Sequence, residues 1–367
     1  MRTSVLKGLL GGWGVISLAL FLLLKQERLP GWMNTALEGK KGDLYYLTKL
    51  SAFSQARNDQ DFLQQESKTS SNPENADVLI MGDSFMQVFA KAIDRFSTKH
   101  DQQIYVVSTR HNPALLEPLF KINTFEKLLQ KTQVRRRRGA PRTLIVESVE
   151  RELIRRFATP QPITQPSGLE KRFADLAFRA QAKFNQWFVL KPVKVDYFLK
   201  HSVVTSAAYG AWADARFALF QEVPGNHLYT RNPPWLFFGP TQSNFTDIRP
   251  DSLIQEITAN LVLLQAKLLG QYNLKLVFMP VPDKLSVYGH LVTEKPYDNF
   301  VPRLCKALEQ AHVPVICLYD DFKASAEPVY HPTDTHWNPD GMRIAVQKIE
   351  HFLPASNSVS MQEGTDR

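Results

Sequence analysis

The chain has 367 residues, with 44 lysines and arginines against 36 aspartates and glutamates, a formal net charge of +8. A composition of 44% hydrophobic and 22% charged residues excludes wholesale disorder, and two cysteines exclude both a disulfide scaffold and a cysteine-built zinc cluster. The length allows two domains or one large elaborated one, and a single apolar run of bilayer-spanning length excludes a polytopic transporter.

Residues 1–7 form a basic flank carrying Arg2 and Lys7, ahead of the uncharged run 8–24 (GLLGGWGVISLALFLLL). A spanning helix needs roughly 17–25 apolar residues, so this run reads as an uncleaved transmembrane signal anchor. A cleaved signal peptide would show small residues in an A-x-A pattern, whereas Lys25-Gln26-Glu27-Arg28 follows directly. Basic residues flank the run on both sides, which leaves the positive-inside asymmetry weak. The expected orientation places the N-terminus in the cytoplasm and exports the rest. Residues 25–76 make a juxtamembrane segment, with a mixed helical stretch at 43–65 and a polar linker at 66–76 (ESKTSSNPENA).

Short β-rich apolar runs then alternate with helical patterns. The runs are 78–81 (VLIM), 104–107 (IYVV), 143–146 (TLIV), 274–278 (LKLVF) and 313–318 (VPVICL), and the helical patterns are 85–96, 124–133, 253–269, 300–311 and 339–352. Continuous apolar strands between helices imply a parallel sheet covered on both faces. The fold class is therefore α/β, a three-layer α/β/α doubly wound sheet of about five parallel strands, in two parts at 77–158 and 250–353. Ligands in such sheets bind at the carboxyl ends of the strands. Residues 159–249 read as a mainly helical insertion (169–188 and 197–220), whose aromatic stretch 227–240 (HLYTRNPPWLFFGP) forms its own small core or, on a sharper reading, a carbohydrate-stacking surface. Residues 354–367 are expected to be a disordered tail. Cys305 and Cys317 either pair in an oxidising compartment or stay buried as free thiols.

Two segments carry chemistry. Ser84 lies in Met81-Gly82-Asp83-Ser84-Phe85, where the first strand turns into a helix. A serine there projects from the strand's carboxyl end, and the helix N-terminus offers N–H groups to a developing oxyanion. The bland alternative is that Asp83 and Ser84 only cap the helix. A base is supplied by His331-Pro332-Thr333-Asp334-Thr335-His336-Trp337-Asn338-Pro339, before the last helix. Asp334 and His336 are two apart, so an extended turn sends both side chains the same way. The aspartate can then orient the imidazole while its other nitrogen faces the serine. Asn338-Pro339 has the form of a helix cap with proline in the first turn. A metal site on His331, Asp334 and His336 is the rival, but it leaves Ser84 idle, and a loop histidine bonded to Asp334 is the bland reading.

Gly82-Asp83-Ser84-Phe85 together with Asp334-Thr335-His336-Trp337-Asn338 resembles the SGNH/GDSL hydrolase superfamily, and within it the alginate O-acetyltransferase (AlgJ- and AlgX-like) group, which also places one residue between aspartate and histidine. Segments 144–151 (LIVESVER) and 277–288 (VFMPVPDKLSVY) look similar too. The resemblance covers about 77–158 and 250–353 and the insertion poorly. It implies a membrane-anchored enzyme of the bacterial inner membrane, its catalytic domain in the periplasm, that moves acetyl groups to hydroxyls of an exported polysaccharide through an acetyl-serine intermediate. Ser84 would be the nucleophile, His336 the general base and acid, and Asp334 its orienter. A polytopic membrane-bound O-acyltransferase would supply the acyl group, and no cofactor or metal is expected.

The serine precedes the Asp/His pair here, as in ordinary SGNH hydrolases, whereas some acetyltransferases of the group have the reverse order. The usual glycine and asparagine oxyanion blocks are not recognisable; Arg110 and Asn112, after the second strand, are substitute donors, with a salt bridge from Arg110 to Glu147 or Glu150 as the plainer reading. The run Arg135-Arg136-Arg137-Arg138 suits an anionic polymer, an anionic lipid surface or simply solvent. Nucleic acid is a poor partner, since no recognised motif accompanies the charge. The same triad would serve an esterase, and the same fold a non-catalytic polysaccharide-assembly subunit.

Overall fold

The computed structural model describes residues 41–55, 76–86, 104–108, 141–158, 202 and 205–353. The expected anchor at 8–24, the helices at 124–133 and 169–188, most of the 85–96 helix, Arg110, Asn112, the four arginines at 135–138 and the tail at 354–367 lie outside the described residues.

Strands β1 (Val78–Gly82), β2 (Ile104–Ser108), β3 (Arg142–Val149) and β6 (Leu274–Val281) form one parallel sheet in the order β2-β1-β3-β6. The helices used below are α1 (Asp43–Thr48), α2 (Glu150–Leu153), α3 (Ser206–Phe220), α4 (Asp251–Lys267), α5 (Lys284–Tyr288), α6 (Phe300–Gln310), α7 (Tyr319–Ala324) and α8 (Pro339–Phe352). Alternation along the strands sends side chains to both faces of the sheet. Leu79, Met81, Leu144, Val146, Leu276 and Phe278 pack with Ile257 and Leu261 of α4 and with Val301 and Leu304 of α6. Val78, Ile80, Ile145, Val277 and Met279 pack instead with Phe322 of α7 and with Met342, Ala345 and Ile349 of α8. Helices thus cover both faces, and the fold is α/β with three layers.

The expected fifth strand is a correction. The run 313–318 adds only a bridge, Val315 beside Phe278, through Phe278 N to the Pro314 carbonyl and Ile316 N to the Phe278 carbonyl, each 2.8 Å. Pro314 has no N–H with which to lengthen the ladder, and α7 begins at Tyr319. A disulfide ties Cys317 in this run to Cys305 of α6.

The described part of the insertion (202 and 205–249) holds α3 and also an antiparallel hairpin, not expected from sequence, of β4 (Leu228–Arg231) and β5 (Pro234–Phe237). Trp235 and Phe237 are buried with Phe245 and Leu285, and Leu236 joins Leu44, Leu50, Phe53 and Ala213. These rings are core rather than an open stacking surface, and that core unites the insertion with the segment carrying α1. The chain leaves β1 for β2 on one side and takes up β3 on the other, which makes the carboxyl ends of β1 and β3 the switch point where a ligand site belongs.

Candidate active site

The turn after β1 is held from below. A Cβ on Gly82 would fall 2.2 Å from Glu147 Oε2 and 2.4 Å from Met86 Cγ, so only glycine fits this close approach. Asp83 staples the turn to β3: its Oδ1 accepts from Phe85 N at 3.1 Å, and its Oδ2 accepts from Val149 N at 3.1 Å and Arg156 Nη1 at 3.2 Å. Burial works to raise the Asp83 carboxyl, but Arg156, Arg151 and these N–H groups outweigh it and hold it below the usual carboxylate range. Glu147 accepts from Asp83 N at 2.8 Å, and burial followed by the Asp83 charge pushes its own carboxyl well up. The capping reading therefore holds for Asp83, while Ser84 turns the other way.

His336 Nε2 lies 2.8 Å from Ser84 Oγ. On the far side of the ring, Nδ1 is 2.6 Å from Asp334 Oδ1. A carboxylate only accepts, so Nδ1 carries the proton and Nε2 is left to accept from the serine hydroxyl. Asp334 is 1% exposed. Its Oδ1 also takes His336 N at 2.9 Å, and its Oδ2 takes Asp43 N at 2.9 Å, so both oxygens are fixed before the imidazole charges. The loop is set against α8 by Asn338, whose Oδ1 accepts from Asp340 N at 3.0 Å and Gly341 N at 3.1 Å with Pro339 in the first turn. Phe85 packs on the His336 ring at 4.8 Å and on Trp337 at 5.4 Å. Ser84, Asp334 and His336, named from sequence, thus come together; Arg110 and Asn112 lie outside the described residues. Of the carboxylates named for a salt bridge to Arg110, Glu147 accepts from the Asp83 amide, and Glu150 accepts from Asp283 N at 2.9 Å, Ser286 Oγ at 2.5 Å and Tyr297 OH at 2.7 Å.

Three residues of this constellation were not singled out from sequence. The first is Asp43, at the start of α1, whose Oδ1 accepts from Thr335 N at 2.8 Å and whose Oδ2 accepts from Thr335 Oγ1 at 2.5 Å and stands 3.7 Å from His336 Nδ1. Burial and the Asp334 charge push its carboxyl up against the pull of His336 and Thr335, an effect screened because 38% of the side chain remains accessible. Gly42 lets α1 seat there, since a Cβ would lie 2.0 Å from the Thr333 carbonyl oxygen. The second is Arg151, which bonds Asp283 at 2.6 Å, joining the carboxyl ends of β3 and β6, and faces the Phe85 ring at 5.8 Å. The third is Lys284, 5% exposed beside Trp235 and Phe237. Burial pushes its ammonium down to about 7, with Asp334 and Asp43 pulling the other way. No motif marks Asp43; Arg151 and Lys284 fall within the two segments already noted as similar to the acetyltransferase group.

The rival metal set is not the one that gathers. Among the described residues Asp43, Asp334 and His336 bring ligand atoms within 4.8 Å of one another, without His331. Those atoms are the ones that already bond each other and Thr335.

The serine at the end of the first strand of a parallel sheet faces an Asp-x-His turn before the last helix, the arrangement expected of an SGNH hydrolase-like α/β domain. Residues 231–366 match the family described as the SGNH hydrolase-like domain of the acetyltransferase AlgX, so this part of the chain is AlgX-like. The matched span begins in the hairpin, inside the insertion that the sequence resemblance covered poorly, and contains Lys284, Asp334 and His336; Asp43 and Ser84 precede it. No curated protein and no solved structure matches the chain.

Proposed function

We propose that the protein is an O-acetyltransferase that moves acetyl groups onto hydroxyls of an exported polysaccharide through an acetyl-serine intermediate. The reading rests on one observation above all, the unbroken hydrogen-bonded line from Asp334 through His336 to Ser84 in a chain with an AlgX-like domain. Ser84 Oγ attacks the acetyl carbonyl while His336 Nε2 takes its proton. The imidazolium is stabilised by Asp334 and by the nearby Asp43, and the carbonyl electrons move onto oxygen to give an oxyanion. Collapse of that adduct expels the donor's leaving group, which carries away the proton from His336. A sugar hydroxyl then gives its proton to His336, attacks the acetyl-serine carbonyl and leaves as the ester, and His336 returns the proton to Ser84.

The same reading places the protein on the periplasmic side of a bacterial inner membrane, held by residues 8–24, with a polytopic membrane-bound O-acyltransferase as the source of acetyl groups. The Cys305–Cys317 disulfide fits an oxidising compartment. Among the described residues, no helix is long and apolar enough to cross a membrane. The test is to incubate the full-length chain with an acetyl ester and a panel of oligosaccharides and to follow the acetyl group. Acetylated sugar supports the transferase; free acetate in the presence of every sugar makes the protein a carbohydrate esterase; no Ser84-dependent consumption of ester makes it a non-catalytic assembly subunit.

A further inference from the structure

The Lys284 Nζ is the meeting point of two parts of the chain that are far apart in sequence. It lies 2.7 Å from the carbonyl oxygens of Leu236, His331 and Pro332 and 3.3 Å from that of Asp334. Leu236 belongs to β5, and the other three acceptors make up the approach to His336. Leu236 N also donates to the Pro332 carbonyl at 2.9 Å, so strand and loop are already adjacent at this point. Carbonyl dipoles aimed at one buried spot repel each other, and a positive charge at that spot reverses the sign of the interaction. An ammonium has three protons to share among these acceptors. In effect the lysine takes the place that a bound cation would fill. The charged groups that favour its ammonium are Asp334 on the loop and Asp43 on α1, while Asp283, next to it in the chain, is paired with Arg151.

We propose that Lys284 is the positioning residue of the Asp334–His336 pair, an internal cation that gathers the carbonyls of residues 331, 332 and 334 onto β5 and thereby fixes where the imidazole meets Ser84. Lys284 touches neither substrate nor reacting atoms. The inference depends on the triad reading above, because it concerns the placement of that base. A shift of about 1 Å in a catalytic group costs up to about 100-fold in rate without a matching loss of binding, and that asymmetry separates positioning from mere packing.

The test uses covalent labelling of Ser84 by a fluorophosphonate, which needs no acetyl acceptor. Lys284→Met keeps the length and apolar bulk and removes the charge; Lys284→Gln keeps two donors without charge and serves if the methionine variant does not fold. In folded variants, checked by circular dichroism, the maximal labelling rate should fall about 10- to 100-fold with the half-saturating probe concentration unchanged, and the glutamine variant should fall less than the methionine variant. The wild-type rate should also decline as pH rises through about 7 and the ammonium loses its proton, a limb missing from Lys284→Met. A folded variant that labels at the wild-type maximal rate, or the same pH profile in wild type and variant, would overturn the proposal and leave the triad standing. A wild-type protein whose Ser84 is never labelled would overturn both.

Discussion

Ser84 and His336 are separated by 252 positions in the chain and by 2.8 Å between Oγ and Nε2. The contact exists because Ser84 follows directly on the carboxyl end of β1 and the turn ahead of α8 brings His336 to it. Ser84→Ala removes one oxygen from a half-buried position and no staple of the turn, since Asp83 makes those bonds. Acyl transfer should fall to background while the melting temperature and circular dichroism stay at wild-type values.

Asp334→Asn tests the other end of the relay. The amide keeps the shape of the side chain but places an N–H where Asp334 receives His336 Nδ1, His336 N or Asp43 N. A loss of about 10³- to 10⁴-fold in kcat is expected for such an orienting carboxylate, with KM for the acetyl ester little changed. A loss below about tenfold would favour a loop histidine with no catalytic duty.

Asp43 extends the site into the N-terminal segment, and two substitutions separate its charge from its seat. Asp43→Asn should lower kcat about tenfold, since one carboxylate near the forming imidazolium is lost while Asp334 remains. Gly42→Ala forces a Cβ to 2.0 Å from the Thr333 carbonyl, which lifts α1 from the loop. It should reduce both kcat and thermal stability, the latter by more than about 1 kcal/mol. Kinetics and denaturant melts of the pair check this.

Glu150 links pH to stability. Burial first, then the Asp283 charge, raises its carboxyl to about 8, against its bonds from Ser286, Asp283 N and Tyr297. A folded-state value above the unfolded one means that the native state binds the extra proton, so the contribution is fully present below the unfolded value of 4.5 and is lost as pH rises through about 8. Glu150→Gln keeps most of the hydrogen-bonding shape and cannot ionise. Its melting temperature should change less between about pH 5 and pH 6 than that of the wild type, a window below the loss of the Lys284 proton at about 7.

The layered α/β core and the meeting of Ser84, Asp334 and His336 were legible from sequence because each rests on a local pattern. Alternating apolar strands, glycine at the end of β1 and the Asp-x-His spacing all work through neighbours in the chain. The fifth strand misread Pro314, whose apolar company hides its missing N–H. The hairpin at Leu228–Phe237 was hidden by aromatic and proline content that fits several loop structures. Asp43 could not be read, because its meaning comes from Thr335 and Asp334, 291 or more positions away. Lys284 is an ordinary lysine in sequence; its significance lies in main-chain carbonyls, which no side-chain pattern reveals.

The most direct measurement of the central claim is peptide mass spectrometry of the full-length chain, rapidly quenched during turnover of an acetyl ester. The account predicts an acetyl group on the peptide bearing Ser84, accumulating in the wild type and absent from Ser84→Ala together with turnover. Turnover that continues in Ser84→Ala, with no acetyl on Ser84 in the wild type at any quench time, would contradict it.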